Sequence, residues 1–143
     1  MSFTADLSGW CRKTAPQYAD SVVRKTVIEI GSRAVLRSPV GDSSYWQQPA
    51  PDGYVGGRFR GNWQHGFGSA PTGNLDVIDQ SGGTTLNRIT SATISSPAAG
   101  ITWLVNNLPY SERIENGWSR QAPQGIVNRI ELEFPSIFEQ AKR

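Results

Sequence analysis

The sequence predicts an α+β fold in which a long N-terminal helix and a C-terminal helix pack on a small, mostly antiparallel β-sheet. Three observations carry that expectation. Ala19, Val22, Val23, Thr26, Val27, Ile30 and Ala34 recur at helical spacing, residues 59–67 alternate with the period of a strand, and residues 126–141 return to helical spacing. With 143 residues the chain suits one domain, which at this size buries roughly two thirds of the surface the unfolded chain exposes.

Along the chain, Phe3, Leu7, Trp10 and Cys11 predict a short amphipathic helix with Thr4 as N-cap and Arg12 and Lys13 near its negative end. Thr14-Ala15-Pro16-Gln17 then has the form of a capping box, so a separate, longer helix is expected to start there. Its face is named above, Glu29 can pair with Arg33 one turn on, and it should stop near Arg37, because Ser38 precedes Pro39. Residues 38–57 form a long loop rich in Pro and Gly that carries Tyr45, Trp46 and Tyr54. Such aromatics either anchor an arm on a partner or pin the loop to its own domain.

Phe59, Gly61, Trp63, His65 and Phe67 alternate with Arg58, Arg60, Asn62, Gln64 and Gly66, which predicts a strand with one buried face and a bulge or close approach at Gly61. Residues 75–78 suggest a second short strand. Leu86, Ile89 and Thr93 suggest a short helix, against β-rich residues at 90–95. Residues 101–105 are apolar on both faces and are placed as a central strand, ended by Asn106, Asn107 and Pro109. Residues 110–116 form a short helix closing at Gly117. Ile126, Val127, Ile130, Phe134, Ile137, Phe138 and Ala141 define a final helical face in which Pro135 forces a kink or a division into two parts; a strand over 130–134 is the competing reading.

Composition narrows the function. Fourteen basic and 12 acidic residues leave a net charge of +2 with no block of like charge, too little to point to nucleic acid. The single Cys11 supports neither an internal disulfide nor a cysteine zinc site, and a reduced, intracellular setting is expected. No signal peptide and no membrane span are expected.

His65, the only histidine, lies in the strand pattern with Trp63 and Phe67 and reads as a structural ring; Cys11 reads as a small core residue. Glu112 and Glu115, and Glu131 and Glu133, look like surface charge, and no phosphate loop, dinucleotide fingerprint or metal spacing occurs. Arg58 and Arg60 near Trp63 suit either phosphate contacts or the polar rim of a protein interface. No catalytic, cofactor or metal site is therefore expected.

A more specific pattern remains. Ser38-Pro39-Val40 is followed by Gly57-Arg58-Phe59-Arg60-Gly61-Asn62-Trp63, then Asn106-Asn107-Leu108-Pro109-Tyr110, Ile114-Glu115-Asn116-Gly117-Trp118-Ser119, Gln121-Ala122-Pro123 and Gly125-Ile126-Val127. In this order the motifs resemble the tail-completion or neck proteins of long-tailed bacteriophages, the group that includes minor tail protein Z of phage lambda, over about residues 16–141. The resemblance implies a structural virion protein without enzymatic activity. It would be made in the bacterial cytoplasm and would form a ring, a hexamer, at the head–tail junction. Its implied partners are its own copies and the terminator, tube and connector proteins, with passing contact with DNA. A terminator or head-closure role is the alternative within that class, and a small nucleic-acid-binding module the alternative outside it.

Members of that family commonly run from Pro-Val through an acidic residue and Thr-Gly into the Gly-Arg segment. Here Gly41-Asp42-Ser43-Ser44 opens an extra aromatic loop, so residues 43–56 are expected to contact a neighbouring subunit or neck protein. Tyr110, Trp118 and Gln121 serve either the fold or a subunit interface, where aromatic side chains are favoured anchors.

Overall fold

The structure, a computed structural model, describes residues 8–42, 49 and 51–143. Phe3, Thr4 and Leu7 of the expected first helix, and Tyr45 and Trp46 of the aromatic loop, lie outside the described residues. The architecture is α+β: a long N-terminal helix, a C-terminal helix and a small antiparallel sheet.

The chain does not break at Thr14. A π-helical turn, Trp10–Thr14, runs directly into α1, Ala15–Arg37, and Thr14 has helical φ and ψ of −75° and −45° with no side-chain capping bond. Pro16 offers no N–H to the turn before it, and the chain accommodates this by widening that turn, so that the Ala15 N–H bonds the carbonyl of Trp10. Trp10 and Cys11 are exposed, which corrects the expectation that Cys11 is a core residue.

On α1, Val22, Thr26, Gly31, Ala34 and Val35 are buried, whereas Ala19 and Val23, expected on that face, are exposed. Gly31 lets another helix approach: a Cβ there would meet the Ile89 side chain at 2.9 Å. The helix ends as expected at Ser38, whose ψ of 133° is extended ahead of Pro39.

Residues 58–67 are not one strand. Gly57, at φ +114°, turns the chain into a single helical turn, α2, Arg58–Gly61. It is closed by hydrogen bonds from Gly61 N to Gly57 O (2.9 Å) and from Asn62 N to Phe59 O (3.1 Å). Only then does β1, Trp63–Phe67, begin. The alternation of Phe59, Gly61 and Trp63 holds across this junction by coincidence of spacing. Gly61 does mark a close approach, since a Cβ there would lie 2.7 Å from the Val77 carbonyl oxygen. Residues 75–78 form no strand; they are irregular backbone held by Leu75 N–H donating to Asn62 Oδ1 (2.8 Å) and Asp79 N–H to Gly57 O (3.1 Å).

The helical reading of the next segment holds: α3 spans Gly83–Ser95 through the β-rich residues, burying Thr85, Ile89 and Thr93. β2, Thr102–Asn106, pairs antiparallel with β1, with Trp63 opposite Asn106, His65 opposite Leu104 and Phe67 opposite Thr102. Among the described residues the sheet has two strands, so β2 is an edge strand there rather than a central one. Its Leu104 packs on the core while Trp103 on the other face is exposed. A short helix, α4, Ser111–Glu115, follows, with Gly117 at φ +83° just beyond it.

The last element, α5, Val127–Ala141, is one helix with Pro135 inside it, not a strand and not two pieces. Tertiary packing outweighs the proline: Ile130, Ile137 and Ala141 are buried, and Ile130 and Ile137 join Ala34, Val35, Trp63 and Ile89 in one core cluster. An ion-pair clamp fixes α5 across α1. The Glu133 carboxylate receives Arg33 Nη1 at 2.6 Å and Arg37 Nη1 and Nη2 at 2.7 and 3.0 Å, and Arg33 also bonds Glu29 at 2.7 Å, as the helical spacing predicts.

The Arg37 and Arg33 hydrogen bonds hold the Glu133 carboxyl at about 2, below its ordinary value of 4.5. A depressed folded-state value stabilises fully above the unfolded value and less as pH falls through the folded one. The clamp is therefore expected to weaken as pH falls from about 4.5 towards 2, and Tm should drop less over this window in Glu133→Gln than in the parent. Parallel thermal melts check this, and identical pH profiles would contradict it.

Candidate functional site

The C-terminal end of α1 is joined to the sheet by a buried polar contact. Ser38 Oγ donates to Ala34 O (2.6 Å) and accepts from the indole Nε1 of Trp63 (2.7 Å). Beside it Arg60 donates to the carbonyls of Gln80 (2.7 Å), Leu36 (3.1 Å) and Ser38 (2.9 Å). Arg60 thus ties three segments together, and its guanidinium is committed to the fold rather than to a phosphate or an interface rim. Arg58, at the start of the same helical turn, is exposed, and among the described residues no hydrogen bond or ion pair engages its guanidinium.

Arg58 opens onto a cleft of about 420 Å³ walled by Pro39, Gly41, Tyr54, Gly57, Phe59, Tyr110, Ile114 and Ser119. The rings of Phe59 and Tyr110 lie 5.9 Å apart, and Phe59 in turn meets the edge of Trp63 at 6.2 Å. The Tyr54 hydroxyl rests against Gly41, where a side chain would collide with it. Burial pushes the Tyr110 hydroxyl above its ordinary value of 10; the nearby Arg58 charge acts the other way and Tyr54 adds to the rise. At neutral pH Tyr110 is therefore a protonated phenol, able to donate, and among the described residues no hydrogen bond engages it.

Three residues singled out from the sequence, Tyr54, Arg58 and Tyr110, are thus brought to one place. A second, larger depression of about 710 Å³, lined by Val40, Asp42, Trp118, Arg120 and Gln121, shares Pro39, Gly41 and Ser119 with the cleft, so the two form one continuous surface. Trp118 is 75 % exposed there, with the Arg113 guanidinium 5.4 Å from its ring centre. Gln121 has a structural part: its side-chain amide accepts from Val40 N and donates to Val40 O, both at 2.9 Å, pinning the start of the long loop. Tyr45 and Trp46 lie outside the described residues, so the expectation that residues 43–56 face a partner is carried here by Tyr54 alone.

The remaining polar motif residues support backbone. Asn106 Nδ2 donates to Phe59 O (2.8 Å), its Oδ1 accepts from Leu108 N (3.3 Å), and Asn107 Nδ2 donates to Pro71 O (2.9 Å), as expected for residues ending a strand. His65 is half-buried, and burial lowers its pKa below 6.5, so the ring is neutral at pH 7. Cys11 is exposed on the first turn and His65 lies on β1, so the two sit on separate elements.

Two carboxylates cap helices: Glu115, expected to be surface charge, and Asp79, which the sequence did not single out. Glu115 Oε2 accepts from Ile126 N and Val127 N (both 2.9 Å) and Oε1 from Asn128 N (2.8 Å), capping α5 from α4. Burial alone would raise its pKa, but the three backbone hydrogen bonds outweigh it and the net shift is downward. Asp79 does the same for α3, accepting from Gly82 N (2.9 Å), Thr85 N (2.8 Å) and Thr85 Oγ1 (2.7 Å). A signal existed: neither Gln124-Gly125-Ile126 nor Gly82-Gly83 places a Ser, Thr, Asp or Asn at the cap position, so each helix start needs an acceptor from elsewhere.

Among the described residues no group of three or more His, Cys, Asp or Glu side chains is placed to hold a metal ion, and no helix is long and apolar enough to cross a membrane. Comparison with protein-family models, with curated proteins and with solved structures finds no match to this chain.

Proposed function

We propose that the chain is a structural assembly protein, a ring-forming component of the head–tail junction of a long-tailed phage that joins the tail to the head connector. The observation that carries this reading is the division of labour among the motif residues. Asn106, Asn107, Gln121 and Arg60 direct their polar groups at backbone, and Trp63 directs its indole N–H at the Ser38 hydroxyl, so all five build the fold. Tyr54, Arg58, Tyr110 and Trp118 instead present aromatic area on one open surface, where among the described residues no hydrogen bond engages the Arg58 guanidinium or the Tyr110 hydroxyl. Half-exposed aromatic and arginine side chains with an apolar floor are what a protein interface selects, because they bury large area at little entropic cost.

In this reading the chain is not an enzyme, its copies form a hexamer, and its partners are terminator, tube and connector proteins. Co-sedimentation with purified tails from the same source tests it. The chain should be retained on tails lacking it, at a constant ratio to the tube protein. Failure to bind tails, together with salt-steep binding to DNA, would replace the assembly reading by the nucleic-acid one.

A further inference from the structure

The cleft can bind an acceptor but offers little to a donor. Its floor is apolar, and among the described residues no hydrogen bond engages its Arg58 guanidinium or its Tyr110 hydroxyl. The complementary surface carries apolar side chains around a carboxylate. Among the described residues, most carboxylates of this chain are already engaged. Asp20, Glu29, Glu133 and Glu139 are in ion pairs, and Asp79 and Glu115 cap helices. Asp52 and Glu112 lie two residues along the chain from the cleft's own Tyr54 and Tyr110, Asp42 lines the adjoining depression, and Asp76 belongs to the segment bonded to Gly57 in the cleft wall.

Glu131 is different. It is exposed on α5, a helix that contributes nothing to the cleft, and no ion pair or hydrogen bond engages its side chain among the described residues. At helical spacing Val127 and Pro135 lie one turn before and after it, and Leu132 adjoins it. All three are exposed, Leu132 at 85 %. Pro135 adds a second acceptor: it has no N–H to give the Glu131 carbonyl, which is left without its usual intrahelical donor. A proline on the outer side of an otherwise regular helix, at a cost of about 3 kcal/mol relative to alanine, has no counterpart in the packing of the protomer itself.

We infer that the Glu131 ridge of one copy docks into the Tyr54–Tyr110 cleft of the next, with Leu132 and Val127 on the apolar floor and the Glu131 carboxylate on Arg58. The inference rests on the ring reading and supplies its contact. One patch meets a different patch on the neighbour, so the interface is heterologous, and repetition of one rotation closes a ring. Two donors in the cleft meet two acceptors on the ridge, and one positive charge meets one negative.

The test is a charge exchange read by sedimentation velocity on the full chain. Arg58→Glu and Glu131→Arg should each weaken self-association by at least about tenfold, and the double variant should recover most of the loss. Both side chains are exposed and unpaired among the described residues, so the protomer should keep its Tm. Leu132→Ser, which alters no charge, should weaken association as well. Oligomers unaffected by either single exchange, or a double variant no better than the singles, would overturn the docking while leaving the ring reading standing. A parent chain that stays monomeric at every concentration, with and without tails, would overturn both.

Discussion

Trp63→Ala is expected to destabilise the protein by about 3–5 kcal/mol, the usual cost of emptying a large aromatic site in a core that relaxes only in part. The side chain is 5 % exposed, meets Phe59 edge-on and donates its indole N–H to Ser38 Oγ. Its loss removes the packing that joins β1 to the end of α1, and Ser38 Oγ, while still donating to Ala34 O, loses the N–H it accepts. A domain of this size has a total stability of roughly 5–15 kcal/mol, so the variant should be close to unfolding at 37 °C. Trp63→Phe keeps most of the volume and should lose less, about 1 kcal/mol of it from the missing hydrogen bond. Urea denaturation of the three proteins checks the series, and a loss below about 1 kcal/mol for the alanine variant would place the core elsewhere.

The second large effect is expected at Asp79. Its carboxylate is buried and takes three hydrogen bonds from the start of α3, two of them from backbone N–H groups. Asp79→Ala leaves those donors without an acceptor, at a cost of about 2–3 kcal/mol. Asp79→Asn keeps one oxygen and should recover part of this. Burial raises the Asp79 pKa, and the bonds from Thr85 and Gly82 more than offset it, so the folded value lies below the ordinary 3.8. The stabilisation is then complete above that ordinary value and declines as pH falls below it, in step with the Glu133 clamp. Hydrogen exchange at the first amides of α3 gives the local readout: Asp79→Ala should lose protection there more than in α1.

Which elements the sequence could announce follows from where their determinants lie. Long α1 was legible because its apolar spacing and its stop at Ser38-Pro39 are local, and Gly117 marked the end of α4 for the same reason. The turn at Arg58–Gly61 was not, because period-two alternation at Phe59, Gly61 and Trp63 is compatible with a strand until Gly57 takes positive φ. Pro135 argued locally for a break in α5, yet buried Ile130 and Ile137 and the Glu133 clamp keep the helix whole. The same distinction divides the candidate site. Tyr54, Arg58 and Tyr110 were named for their chemistry, but their convergence depends on the path from residue 39 to 59. The structural duties of Arg60 and Gln121 depend on partners 20 to 81 residues away, which no local pattern encodes. Glu115 looked like surface charge because the helix it caps begins 12 residues later in the chain.

We propose that this chain works by assembling with its own copies. The most direct measurement is the absolute mass of the purified protein by multi-angle light scattering over a range of concentrations, alone and with tails from the same source. The account predicts a closed species near six times the 15.6 kDa protomer, in solution or on the tails, with Arg58→Glu shifting it back towards the protomer. A species that remains at 15.6 kDa under every one of those conditions would contradict it.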